Sequence, residues 1–362
     1  MKNQNLSEDR YSLLLSKILL GKPSDYVSTP DFTSVFSSPE ETAAFIAFAN
    51  VHHVIVRAIE ELLKNGSLAG NEAAIQLVTA GLAEEKQRVS AAVSFLEKIT
   101  QKLDANGCPA VVIKSLDHHP DLGSDLDLFS SGDEPKVITT MKAEFGAEVM
   151  GRSWGDRIAH KWNFRIPGLS EAVEIHVGVL GQTGEHLNLA KQVIQNAVVR
   201  EIEGHTFRVA APEERIMIST LQRMYRHFYF RLCDIIDSKT LINAGQLDFD
   251  RLRKAAEPNG IWPGVATYLQ VVQEYARKYG TEVTLPEEVL SSAKSSDHGL
   301  PLKGHFLRIP IVPDATGLFF RQMAHAGSKA DLRTMARLTV LPGLAAAAMV
   351  SYKITGDDKG IW

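Results

Sequence analysis

The sequence predicts an α+β fold in which a small mixed β-sheet core lies between two helical regions. Three observations lead there. Hydrophobic spacing is helical up to about residue 104, changes to a strand period between 105 and 211, and turns helical again from Pro212 onward. The middle block carries apolar or alternating runs too short to be helices, such as Ala110-Val111-Val112-Ile113 and Asp125 to Phe129. Turn signals such as Pro167-Gly168-Leu169-Ser170 separate these runs. The expected division is 1–104 (helical N-terminal region), 105–211 (α/β core) and 212–362 (helical C-terminal region).

Taken in order, Ser38-Pro39-Glu40-Glu41 reads as a capping box that opens a helix. That helix carries Phe48, Val51, Ile55, Ile59 and Leu62 and stops at Asn65-Gly66. His52 and His53 fall inside it without a carboxylate or cysteine at ligand spacing, which suggests packing or solvation. A second helix runs from about Asn71 to Ala105 with Leu82, Val89, Val93, Leu96, Ile99 and Leu103 as its stripe. In the core, Ala110 to Ile113, Asp125 to Phe129, Trp162 to Ile166 and Val173 to Val177 read as strands, the last two forming a hairpin. Glu134 to Phe145 reads as a helix opened by Gly132-Asp133. A single helix from Pro212 would place Arg223, His227, Arg231 and Asp234 on one face and Ile218, Leu221, Tyr225, Leu232 and Ile236 opposite. Ser291 to Pro313 is looser. The apolar run Leu338 to Tyr352, interrupted by Pro342-Gly343, falls short of a bilayer span and is expected to be a buried helix.

The chain has 362 residues, 44% hydrophobic and 23% charged, and so has ample material for a packed core. A net charge of −4 offers no global basic field for nucleic acid. Cys108 and Cys233, the only cysteines, are too few for a disulfide framework or a cysteine-rich zinc module. The polar start, Met1 to Tyr11, lacks a signal-peptide core. A cytoplasmic protein without membrane contact is the expectation.

Alternation along a strand puts Asp125 and Asp127 on one face and Leu126 and Leu128 on the other. The same rule separates Glu174 and His176 from Val173, Ile175 and Val177. Three carboxylates on adjacent strands make a hard-oxygen site suited to Mg²⁺, which takes one or two protein carboxylates and completes its octahedron with water and substrate phosphates. Phosphoryl transfer with two divalent ions is the chemistry such a site predicts: one ion activates the attacking oxygen, the other clamps the polyphosphate. Glu174 would complete the site and assist removal of the acceptor proton.

Ile113-Lys114-Ser115 followed by Gly123-Ser124-Asp125-Leu126-Asp127-Leu128-Phe129 resembles the signature of the DNA polymerase beta-like nucleotidyltransferase superfamily. Within it, the order of elements is similar to the bacterial family of uncharacterised nucleotidyltransferases. The resemblance covers roughly residues 40 to 245. It implies a nucleotidyltransferase core that moves NMP from an NTP to an acceptor, with release of pyrophosphate. Asp125, Asp127 and Glu174 would be the catalytic and metal-holding residues. The pattern departs in two places. Lys114-Ser115 stands where the narrower family has Lys-Gly, whose glycine admits phosphate close to the backbone. Pro120-Asp121-Leu122-Gly123 stands where an arginine often precedes the acidic pair.

Further nucleotide contacts are expected from Lys114, Ser115 and Ser124 beside the phosphates, and from Lys161 and His176 near Glu174. Arg223, His227 and Arg231 would contribute from the following helix. Arg152, Arg157 and His160 could answer phosphate charge across the cleft, whereas His118-His119-Pro120 reads as surface loop. Other motif-borne chemistries find no support: neither Walker, Gly-x-Gly-x-x-Gly, His-Glu-x-x-His nor Gly-x-Ser-x-Gly patterns occur. The expected partners are an NTP and an unidentified acceptor, a small molecule before a long nucleic acid. Two other readings stay open. One is a lapsed transferase core serving as a binding or scaffold protein, suggested by the altered turn. The other is a transferase acting on RNA or protein.

Overall fold

In the computed structural model, which describes residues 2–294, 300–303 and 305–355, the protein has the expected α+β architecture. Helices occupy the chain up to Ala105. Strands then alternate with helices: β1 (Ala110–Val112), β2 (Asp125–Ser130), β3 (Glu148–Val149), β4 (Lys161–Arg165), β5 (Ala172–Val177), β6 (Val198–Ile202) and β7 (His205–Val209). They form one sheet in the order β3-β4-β5-β2-β1-β7-β6. The β2/β5 and β1/β7 pairs are parallel and the others antiparallel, so the sheet is mixed.

Sheet register follows from burial. Leu126, Leu128, Val173, Ile175 and Val177 point into a core shared with Val89, Val93, Leu96, Ile99 and Leu103 of the helix Glu72–Ala105. Each fully buried side chain of this kind contributes about 1.5–3 kcal/mol. A slip of one residue would turn the whole set to the other face, so these residues hold β2 and β5 in place. The opposite face meets a second core in which Val111, Ile113 and Phe129 join helical residues from both ends of the chain, among them Leu14, Ile18, Leu232 and Leu269.

Several expectations need correction. The helix opened by Ser38 ends at Val51, and a new one runs Ile55–Lys64. His52 and His53 sit at the break, where His53 adopts a left-handed φ of 52°. Ser38 does cap, accepting from Glu41 N–H at 3.2 Å, but the Glu41 carboxylate is held by Arg10 and Tyr11 instead of closing the box. The helix from Pro212 is α-helical only to Thr220. Leu221–His227 is wound in wider π-type turns, Phe228 takes a left-handed φ of 55°, β8 (Tyr229–Phe230) follows, and a separate helix spans Leu232–Asn243. Nor does the C-terminal part stay helical. Within the looser segment, β9 (Leu302–Lys303) and β10 (Phe306–Arg308) pair into a small sheet with β8.

The apolar run near the C-terminus lies in the helix Leu332–Thr355, which contains Pro342. Leu338 and Leu341 are buried, but Val340, Val350 and Ile354 are exposed, so the expectation of a buried helix fails over most of its length. Among the described residues, no helix is long and apolar enough to cross a membrane.

Candidate functional site

The sheet delivers the carboxylates from two strands. In the parallel β2/β5 pair Asp127 lies directly opposite Glu174, and Asn163 of β4 faces Glu174 on its other side. Leu126 and Leu128 occupy the core face, so Asp125 and Asp127 are directed to the other side, where Asp125 is exposed and Asp127 buried. Asp125, Asp127 and Glu174 all line a single cleft of about 230 Å³.

Two lysines lie among these acids. Lys114 Nζ is 2.5 Å from Asp127 Oδ1 and 3.7 Å from Glu174 Oε1. Lys161 Nζ bridges Glu174 Oε2 at 2.8 Å and Asp156 Oδ1 at 3.0 Å. His176 Nε2 lies 2.8 Å from Glu174 Oε1. Burial resists ionisation of Glu174, but Lys114, Lys161 and His176 together hold its carboxyl well below the usual range. Burial pushes Asp127 the other way, up to about 7; Lys114 opposes the rise and Glu174 adds to it. The facing acids are therefore unequal, one firmly ionised and one resisting its charge. Burial also lowers His176, outweighing its bond to Glu174. Burial opposes the charge on Lys114, yet Asp127 and Glu174 raise it above its ordinary value.

The turn after β1 has a structural role. Ser115 Oγ accepts from Asp127 N–H at 2.6 Å and donates to Asp125 O at 3.2 Å, pinning the turn to the acidic strand. Ser115, which stands at the glycine position of the resembled pattern, is not among the residues with a left-handed φ, so the backbone there does not need glycine. Ser124 is exposed and its hydroxyl lies 3.3 Å from Asp125 Oδ2.

The facing wall comes from the π-wound segment and the strand after it. Gln222, Arg223, Arg226, His227, Tyr229 and Arg231 all border the cleft. Residues 222, 223, 226 and 227 share this wall at one-turn spacing, and π-type turns recur at functional sites. Arg223 is 2% exposed. Its Nε lies 2.8 Å from Asp234 Oδ2, a charge contact without hydrogen-bond alignment, and its buried Nη1 has no hydrogen-bond partner among the described residues. Arg231 stacks on Tyr229 and Phe306, with its guanidinium carbon 5.7 and 5.5 Å from the ring centroids. Burial, reinforced by Arg226 and Arg223, holds His227 well below its ordinary value and hence neutral.

Apart from the loop cations, the candidate site residues named from sequence border this cleft except His176, which reaches it through Glu174. The ligand atoms of Asp127, Glu174 and His176 lie within 4.8 Å of one another, a group to which Asp125 does not belong. The loop cations do not line the cleft. Arg152 stacks on Trp162 at 3.7 Å, Arg157 leans over Trp154, and His160 Nδ1 meets Glu134 at 2.7 Å; these contacts bind the loop to itself and to its neighbours. Reading His118 as surface loop is also corrected. Its Nδ1 lies 2.5 Å from Asp237 Oδ2, its ring stacks 5.8 Å from His53, and both imidazoles border the cleft.

Sequence reasoning missed His53, His118, Gln222, Arg226 and Tyr229. Of these, Arg226 carries a sequence signal, since it stands between two residues already selected. It makes no ion pair among the described residues.

No protein-family model matches the chain, and no curated protein does. One solved structure is similar: the crystal structure of an antigenic nucleotidyltransferase-like protein from Paracoccidioides brasiliensis. It covers 56% of this chain and 97% of its own at 15% identity, with a TM-score of 0.35.

Proposed function

We infer that the protein is a Mg²⁺-dependent nucleotidyltransferase that moves NMP from an NTP to an acceptor and releases pyrophosphate. One observation carries this reading. A wall of three carboxylates from β2 and β5 faces a wall of arginines from 223 to 231 across one cleft. The donor set suits the metal, because its carboxylates are hard oxygen ligands open to a cleft. The unpartnered Arg223 Nη1 suits an anion on the opposite wall. Asp125, Asp127 and Glu174 would hold the ions, which when bound supply charge neutralisation and an activated acceptor oxygen. Arg223, Arg226 and Arg231 would bind the polyphosphate. Lys114 and Lys161 hold the acids' charge in the metal-free protein and stand ready to turn to phosphate. Neutral His227 adds no further charge to that cationic wall. His176 would orient Glu174. A small-molecule acceptor is favoured.

The test is calorimetric titration with Mg²⁺-NTPs, followed by pyrophosphate release with candidate acceptors. Saturable, Mg²⁺-dependent binding with turnover is expected. Absence of binding to all four NTPs would remove the reading and leave a lapsed scaffold. Arg226→Ala should weaken nucleotide binding about tenfold to a hundredfold, the worth of a charge-assisted hydrogen bond, without moving the melting temperature. Unchanged affinity would dismiss Arg226 from the site.

Asp127 gives the reading a pH signature. Its folded value is raised to about 7 from an ordinary 3.8, so the metal-free fold binds this proton more tightly than the unfolded chain. The stability it contributes is present below pH 4 and is lost as pH rises through 7. Glu174, shifted down, loses its contribution only below its ordinary 4.5 and is silent in that window. Mg²⁺ must displace the Asp127 proton, so its affinity should rise about tenfold per pH unit up to 7 and then level off. Thermal melts with and without Mg²⁺ at pH 6 and 8 check this; equal Mg²⁺ stabilisation at both would refute it.

A further inference from the structure

A second cavity, lined by none of the cleft's residues, has a volume of about 550 Å³. It is unlike the cleft in chemistry. Its lining combines the apolar Val198, Val209, Ile236 and Leu241 with Arg57, Arg200 and Arg215 and with Asp117 and Asp237. Two of the three cations are answered. Arg57 holds Asp237 Oδ1 at 2.5 Å and Asp121 Oδ2 at 2.7 Å, and Arg215 Nε lies 2.6 Å from Asp117 Oδ1. Arg200 donates from Nη1 to Leu116 O at 2.9 Å but makes no ion pair among the described residues. Burial lowers its pKa and the neighbouring Arg215 lowers it further, while Asp117 and Asp237 act against both. His119, also on the rim, faces Glu203 at 3.4 Å.

Where a guanidinium without an ion pair borders apolar surface in a cavity of ligand size, the complementary occupant has an anionic head and an apolar body. We propose that this cavity is a second binding site, for a small amphiphilic anion such as an alkyl phosphate or carboxylate. Arg200 takes the head group and the side chains Val198, Ile236 and Leu241 cover the tail. The site is linked to the cleft: Asp237, on its lining, fixes His118, which borders the cleft. The proposal does not depend on transferase activity.

Octyl phosphate is the probe, with octanol and inorganic phosphate as body-only and head-only controls. Titrated calorimetrically into the full chain, octyl phosphate should bind one to one and at least tenfold more tightly than either control. Arg200→Gln should weaken it at least tenfold while leaving Mg²⁺-ATP affinity unchanged. Val198→Glu, which sets an internal carboxylate on the Arg200 face of an edge strand, should do the same. The proposal is overturned if octyl phosphate does not saturate, if inorganic phosphate binds equally well, or if both variants keep full affinity. Competition by Mg²⁺-ATP would likewise overturn it, by locating the probe in the cleft.

Discussion

Asp127→Asn should reduce Mg²⁺-dependent pyrophosphate release by a factor of about 10³ or more, or roughly 4 kcal/mol of barrier at 1.36 kcal/mol per tenfold. The substitution keeps the size of the side chain, removes the charge and replaces one acceptor oxygen by an NH2 donor. In the proposed site that charge is central, because Asp127 stands directly across the strand pair from Glu174, and the two would hold the metal together. Stability should respond far less. The fold already resists ionising Asp127, and Lys114 retains Glu174 at 3.7 Å. A melting temperature within a few degrees of wild type, beside a thousandfold loss of rate, separates chemistry from folding. Equal rates in the two proteins would dismiss the transferase.

The acidic strand was legible because its alternation has one physical solution. With Leu126 and Leu128 in the core, Asp125 and Asp127 must face away, and the same holds for Glu174 between Val173 and Ile175. That Asp127 and Glu174 would lie in register was not legible, since pairing depends on crossover connections that alternation does not encode. The β6/β7 hairpin, left unassigned, did carry a signal: two alternating runs joined by Glu203-Gly204, both at positive φ. The arginine wall was only half readable. Spacings of four selected Arg223, His227 and Arg231 on the assumption of one α-helix, and they border the cleft although the helix is not there. The π-type turns, and the left-handed Phe228 that ends them, involve no glycine, asparagine or proline. Tertiary packing imposes them, and local propensity gives no warning.

Those distant constraints make the second prediction. Arg57→Ala should destabilise the protein by about 3–5 kcal/mol, the usual penalty for removing one partner of a buried ion pair. Arg57 is a joint between three parts of the chain. From the helix Ile55–Lys64 its Nε meets Asp121, which is fully buried in the loop before β2, and its Nη1 meets Asp237 of the helix Leu232–Asn243. Asp121 also accepts from Val56 N–H at 2.6 Å, closing the start of that helix onto the loop. The acid that departs from the resembled pattern before β2 is thus answered by an arginine 64 residues upstream. Without Arg57, Asp121 is left as a buried carboxylate facing backbone donors alone, and Asp237 keeps only His118. Urea denaturation should show a lower midpoint at constant slope. Adding Asp121→Asn to Arg57→Ala should recover part of the loss, because it removes the stranded charge, and strict additivity of the two changes would refute the coupling.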